Sequence, residues 1–86
     1  MDLDKLIEEG EKLESKAKES AMVPGKILKG IELETWASKA VIFMDEESEN
    51  NFLTEKVQEN AKNLNSKGYE KYHAILGVLK AIKESE

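Results

Sequence analysis

The chain has 86 residues, of which 18 are acidic and 13 basic, so its formal net charge at pH 7 is −5. This acidic balance disfavours binding to nucleic acid or to anionic lipid. Every basic residue is lysine, which lacks the planar fork that arginine offers to phosphate and guanine. The absence of cysteine excludes a disulfide framework and a thiolate metal site.

Two further features bear on location. The longest uncharged apolar run, residues 40–44, is far shorter than the roughly 18–20 residues that a membrane span needs. The acidic start of the chain, residues 1–4, is unlike the basic first region of a signal peptide. We therefore expect a cytoplasmic protein of a simple, bacterial cell that has no contact with a membrane.

Apolar residues at three- and four-residue steps predict a first helix over residues 2–20. The stripe consists of Leu3, Leu6, Ile7, Leu13 and Ala17. Gly10 falls within this stripe, and a glycine inside a helix costs about 0.5–1 kcal/mol relative to alanine. We expect either a neighbouring helix that approaches Gly10 closely or a kink at this position.

A second helix is predicted over residues 31–46, after the turn signal Pro24-Gly25. Its buried stripe should be Leu33, Trp36, Ala37, Ala40, Phe43 and Met44, with Trp36 as a packing anchor. This helix could also begin at Pro24, since proline is tolerated at the first helical position. The apolar residues of segment 27–31 would then face away from Trp36. Either the chain breaks near Gly30 or the helix has two apolar faces.

A third helix is predicted over residues 48–64, with Leu53, Val57, Ala61 and Leu64 on one face and Phe52 beside that face. A fourth is predicted over residues 69–84. Its apolar side chains cover an arc of roughly 200°: Tyr72, Ile75, Leu76, Val78, Leu79 and Ile82. So wide an arc predicts a central position in the bundle or a second face used on another chain.

These elements predict an all-α protein, a small four-helix antiparallel bundle in which residues 1–86 form a single helical domain. No segment shows sustained alternation of apolar and polar residues, so no sheet is expected.

Patterns for catalysis or metal binding are missing from the sequence. His73 has no second histidine or cysteine to complete a zinc set and is expected to be a boundary residue beside Tyr69 and Tyr72. The acidic segment 45–49 lacks the ligand spacing of a calcium loop. Residues 25–30 have the glycine spacing of a phosphate-binding loop but lack the Lys-Ser/Thr that completes it. The sequence predicts no catalytic, cofactor-binding or metal-binding residue, and a role other than an enzyme.

Two apolar surfaces are candidates for contact with another protein or with a second copy of the chain. The first surrounds the Pro-Gly turn and comprises Met22, Val23, Ile27, Leu28 and Ile31. The second is the outer face of the last helix and comprises Ala74, Val78 and Ala81. The alternative for the first surface is that it caps the open end of the bundle.

The order of several short patterns resembles a known kind of module. It runs from an early Leu-Ile-x-x-Gly (Leu6, Ile7, Gly10) through Leu33-x-x-Trp36 with Phe43 and a helix opening on Phe52, to Gly77-x-Leu79-Lys80-x-Ile82. In this order the chain resembles the small N-terminal helical modules of uncharacterised bacterial proteins associated with mobile elements or abortive phage infection. Such a module typically precedes an effector domain, and the resemblance supplies no catalytic residue.

The function expected from the sequence is that of a protein-interaction or self-association module, in the form of a weak homodimer or a complex with another protein. One alternative is a structural N-terminal fragment of a larger effector. The other is a nucleic-acid-associated phage or mobile-element protein, which the lack of arginine disfavours.

Overall fold

The computed structural model describes residues 2–19 and 25–86. Helix α1 spans Leu3–Leu13 and is capped by Asp2, whose side chain accepts a hydrogen bond from the N–H of Asp4 at 3.0 Å. It ends well before the predicted position 20, because Glu14–Lys16 form one 3-10 turn and the backbone is extended at Ala17. Past Leu13 the chain is almost wholly polar, so further helix would gain little tertiary packing.

A short hairpin-like pair follows α1. Strand β1 (Lys18–Glu19) pairs antiparallel with β2 (Lys26–Ile27), with Lys18 opposite Ile27 and Glu19 opposite Lys26. The expectation of no sheet is wrong in this detail, because strands of two residues are too short to produce an alternating pattern. The all-α class and the four-helix arrangement are confirmed.

Helix α2 spans Ile31–Glu47, and it is separate from the segment before it. Gly30 has φ of +120°, a conformation that L side chains rarely adopt, and it separates α2 from the residues before it. This is the position at which the first of the two alternatives drawn from the sequence placed an interruption. The other alternative is a helix that starts at Pro24, and Pro24 itself lies outside the described residues. All six residues of the predicted α2 stripe are buried.

Helix α3 spans Asn51–Ala61, and α4 spans Gly68–Glu84. The predicted third helix was too long at both ends. Asn50 caps α3 by accepting a hydrogen bond from the N–H of Leu53 at 3.0 Å, and Lys62 is already extended. Glycine is required at position 68, because a Cβ there would collide with the carbonyl oxygen of Leu28.

The four helices run alternately up and down. Lys83 pairs with Asp4 at 2.9 Å and Tyr69 bonds to Glu14 at 2.7 Å, so α4 is antiparallel to α1. Helices α2 and α4 contact each other and also both α1 and α3, whereas α1 and α3 lie apart. The wide apolar arc of α4 is therefore used inside the chain, at the centre of the bundle.

Candidate interaction surface

The first surface predicted from the sequence is divided in the structure. Met22 and Val23 lie outside the described residues. Leu28 is buried at 3% exposure and packs into the core, whereas Ile27 is 41% exposed on β2 and Ile31 is 81% exposed at the start of α2. The first surface therefore keeps only its two isoleucines on the outside of the described chain.

The second predicted surface is not continuous. Val78 is buried at 4% exposure, Ala74 is half-buried and Ala81 is exposed. Val78 belongs to the buried core cluster, so the side of α4 that carries it faces the interior of the bundle. A charge placed at Val78 would disturb the core and would not report on a surface.

A groove that the sequence did not predict lies between α1 and α2, with a volume of about 490 Å³. Its apolar lining residues are Leu13, Trp36 and Ile31, and its polar lining residues are Glu9, Lys12, Lys16, Glu32, Thr35 and Lys39. Trp36 is 3% exposed, as predicted, and its Nε1–H donates to the carbonyl of Leu6 at 2.8 Å. The groove therefore has a rigid floor and one exposed apolar wall.

Lysines stand on both walls of this groove: Lys12 and Lys16 on the side of α1, and Lys39 on α2. Each pairs with a glutamate, Lys12 with Glu8, Lys16 with Glu32, and Lys39 with Glu9, at 3.1–3.4 Å between nitrogen and oxygen. The side chains in these pairs are 39–74% exposed. Exposed pairs contribute only about 0–1 kcal/mol each, so these lysines can exchange partners at little cost.

Glu14 is the centre of a polar cluster that joins three elements. Its carboxylate accepts hydrogen bonds from the Tyr69 hydroxyl at 2.7 Å and from Lys26 Nζ at 3.2 Å, and it lies 3.1 Å from Nε2 of His73. The bond from Tyr69, followed by that from His73, lowers the pKa of Glu14 to about 2. The same bond raises the pKa of Tyr69. Glu14 is thus held ionised and links the 3-10 turn to β2 and α4.

Aromatic rings surround this cluster. The ring of His73 lies 4.3 Å from that of Tyr69 and 5.4 Å from that of Tyr72, which confirms its predicted place beside the two tyrosines. The Tyr72 hydroxyl donates to the carbonyl of Gly10 at 2.6 Å, and burial raises the pKa of Tyr72 to about 12. The polar groups of this cluster form hydrogen bonds within the chain, so the cluster connects α1 and the 3-10 turn to β2 and α4.

Two further exposed apolar side chains were not singled out from the sequence as contacts. Phe52 is 73% exposed in the first turn of α3, and Ile42 is 49% exposed on α2. The sequence does hold a signal for Ile42, because Ile31 and Ile42 are eleven residues apart. At 100° per residue they share the side of α2 opposite the buried stripe.

Charge is distributed unevenly between the two ends of the bundle. Residues 2–8, 40–56 and 77–86 lie toward one end, which we call the acidic end, and carry ten acidic residues and four lysines. The rest of the described chain carries eight acidic residues and nine lysines. The α1–α2 groove lies wholly in this second half, whereas Phe52 lies in the acidic end.

Comparison with protein-family models, with curated proteins and with solved structures found no match to this chain. The resemblance to modules of mobile-element and abortive-infection proteins stays a prediction. Within the described residues, no helix combines the length and apolar character needed to cross a membrane. In the same residues, no three acidic or histidine side chains are grouped in a way that would hold a metal ion.

Proposed function

We propose that this chain is a helical interaction module that associates with a second copy of itself. The observation that carries the proposal is the exposure of Phe52 at 73% and of Ile31 at 81%, the latter beside the α1–α2 groove. Burying a large apolar side chain contributes about 1.5–3 kcal/mol, so covering these two residues offsets part of the cost of bringing two chains together and fits weak association.

Two other features support a role in binding rather than in catalysis. The titratable groups that come together at Glu14 are engaged with one another. The α1–α2 groove is lined by apolar side chains, lysines, Glu9, Glu32 and Thr35, and among the described residues no hydrogen bond pairs the Thr35 hydroxyl with a base. The proposed setting is the bacterial cytoplasm, for which the cysteine-free composition and the resemblance given above are the grounds.

Sedimentation equilibrium over a range of concentrations tests this function. We expect the average mass to rise above that of one chain as the concentration approaches the millimolar range. Two-dimensional NMR spectra over the same range should show shifts that concentrate around Phe52 and Ile31. A mass of one chain at every concentration, with unchanged spectra, would contradict self-association. It would favour the alternative of a structural module within a larger effector.

A further inference from the structure

The outer side of α3 carries one aromatic and three charged side chains. At 100° per residue, these four residues lie within an arc of about 100°, on the side of the helix away from the buried Val57. All four are exposed, and we call them the α3 face: Phe52, Glu55, Lys56 and Glu59. The described part of the chain therefore leaves this face open to solvent.

Two charges at the centre of the α3 face have no opposite charge beside them. Within the described residues, neither Glu55 nor Lys56 forms an ion pair. Consecutive residues of a helix do not face each other, so these two cannot pair within one chain. No lysine lies three or four positions from Glu55. Glu59, three positions after Lys56, pairs instead with Lys62 at 3.4 Å.

The order of charges along α3 makes two antiparallel copies complementary. Glu49 and Glu55 precede the midpoint between positions 55 and 56, whereas Lys56 and Lys62 follow it at the same distances. A second α3 that shares this midpoint and runs in the opposite direction brings Glu55 of each copy opposite Lys56 of the other. The same arrangement brings Glu49 opposite Lys62. A parallel copy in register would bring like charges together, so the charges select the antiparallel arrangement.

We propose that two copies of this chain associate through the α3 face, with the two helices antiparallel about a twofold axis between residues 55 and 56. This inference rests on the self-association proposed above and adds its surface and geometry. The contact covers Phe52, one of the two exposed residues on which that proposal rests. Phe52 lies opposite Glu59 of the other copy, whose methylene groups can pack on the ring.

Such a contact is isologous, because both copies use the same surface. Each copy in the dimer has its α3 face covered, so association stops at two chains. Helix α3 has only 11 residues, a length of about 16 Å, and a contact of this size falls below the area of a stable dimer. The expected dimer is therefore weak.

Two charge reversals test the pairing of Glu55 with Lys56. Glu55→Lys brings lysine against lysine at both symmetric positions, and Lys56→Glu brings glutamate against glutamate. Both residues are exposed, and lysine and glutamate have similar helix propensities, so both variants should fold. In sedimentation equilibrium at low salt, we expect each variant alone to have a dimer dissociation constant about tenfold higher than the wild type.

Mixing these two variants is the decisive measurement. In a mixed dimer, lysine of one copy meets glutamate of the other at both symmetric positions. An equal mixture should therefore dimerise about tenfold more tightly than either variant alone. If the wild type dimerises but mixing brings no gain, the antiparallel α3 contact is overturned while self-association stands. If the wild type stays monomeric, both proposals fail.

A matched pair of controls reverses the same charges on another helix. Glu8 and Lys12 are exposed on α1, and they pair only with each other among the described residues. Glu8→Lys and Lys12→Glu change the net charge by the same amounts as the α3 variants, and each should dimerise as the wild type does. A gain on mixing these controls equal to that of the α3 variants would show general attraction between unlike chains and overturn the proposal.

Two further readouts concern the aromatic ring and the size of the complex. Phe52→Ala removes both rings from the contact and should raise the dissociation constant at least about tenfold, whereas an unchanged constant would overturn the placement of Phe52. The average mass of the wild type should level off at two chains. A mass that passes two chains would overturn the isologous geometry.

Discussion

Gly10 lies in the middle of α1, at a point where a methyl group has no room. A Cβ at this position would stand 2.5 Å from Cζ2 and 2.8 Å from Cε2 of Trp36, far inside van der Waals contact. The indole is buried at 3% exposure, and its N–H bond to the carbonyl of Leu6 holds it in place. Gly10→Ala must therefore push α1 away from α2 or turn the indole off its hydrogen bond.

The expected cost follows from three contributions. Overpacking of a core side chain costs about 1–3 kcal/mol. If the indole turns, its buried N–H loses the carbonyl of Leu6 as acceptor, which costs about 1–3 kcal/mol more. Alanine is favoured over glycine inside a helix by about 1 kcal/mol. Together these predict that Gly10→Ala lowers the free energy of unfolding by up to about 2 kcal/mol if only α1 moves, and by about 1–5 kcal/mol if the indole also leaves its acceptor.

Urea denaturation followed by far-ultraviolet circular dichroism measures this change. Gly77 supplies a matched control, because it lies inside α4 and no atom stands within 4 Å of the position of its Cβ. Gly77→Ala should raise the free energy of unfolding by about 0.5–1 kcal/mol, the helix-propensity gain alone. If Gly10→Ala also stabilises the protein, the close approach of Trp36 to α1 is refuted.

Three other expectations concern the core and the Glu14 cluster. Leu76→Asp should lower the free energy of unfolding by about 3–5 kcal/mol, because it places a carboxylate at a site that is only 9% exposed. Urea denaturation measures this change, and a loss below about 1 kcal/mol would contradict the burial of Leu76. His73→Ala should cost about 1 kcal/mol or less in the same assay, since the His73 side chain is 53% exposed, and a large loss would mean that the ring has a greater structural role. The pKa of Glu14 is lowered to about 2 in the folded chain, so its stabilising contribution is present above pH 4.5 and is lost as the pH falls from about 4.5 toward 2. Melting temperatures at pH 5 and pH 3 should therefore fall less in Glu14→Gln than in the wild type, and equal falls would show that Glu14 does not contribute.

Long periodic segments were predicted well from the sequence. The six buried residues of α2 recur at helical spacing over its whole length, so tertiary contacts had little to add. The close approach at Gly10 was also foreseen, as one of two ways to account for a glycine in a buried stripe. The end of α1 was missed, because residues 14–20 are polar except for Ala17 and carry no apolar period that would mark where the helix stops.

The surface features depend on contacts between distant parts of the chain and leave little trace in a sequence. Glu14 is separated by more than fifty residues from Tyr69 and His73, and no periodicity relates them. The burial of Val78 and the exposure of Phe52 follow from which helices are neighbours. The charges look evenly spread along the chain, and only the antiparallel packing collects most of the acidic ones at one end.

The gap at Gly10 also selects the axial position of α1. Apolar side chains recur at almost every turn of this helix, and its carbonyl groups recur with the same spacing. A slide by one turn, about 5.4 Å, would therefore preserve much of its hydrophobic contact and offer Trp36 and Tyr72 new acceptors. Gly10 is, however, the only one of the buried α1 residues without a side chain, and even a methyl group there would collide with the indole. A single missing methyl group thus gives α1 one register against α2 and α4, where an uninterrupted stripe of leucines would permit several.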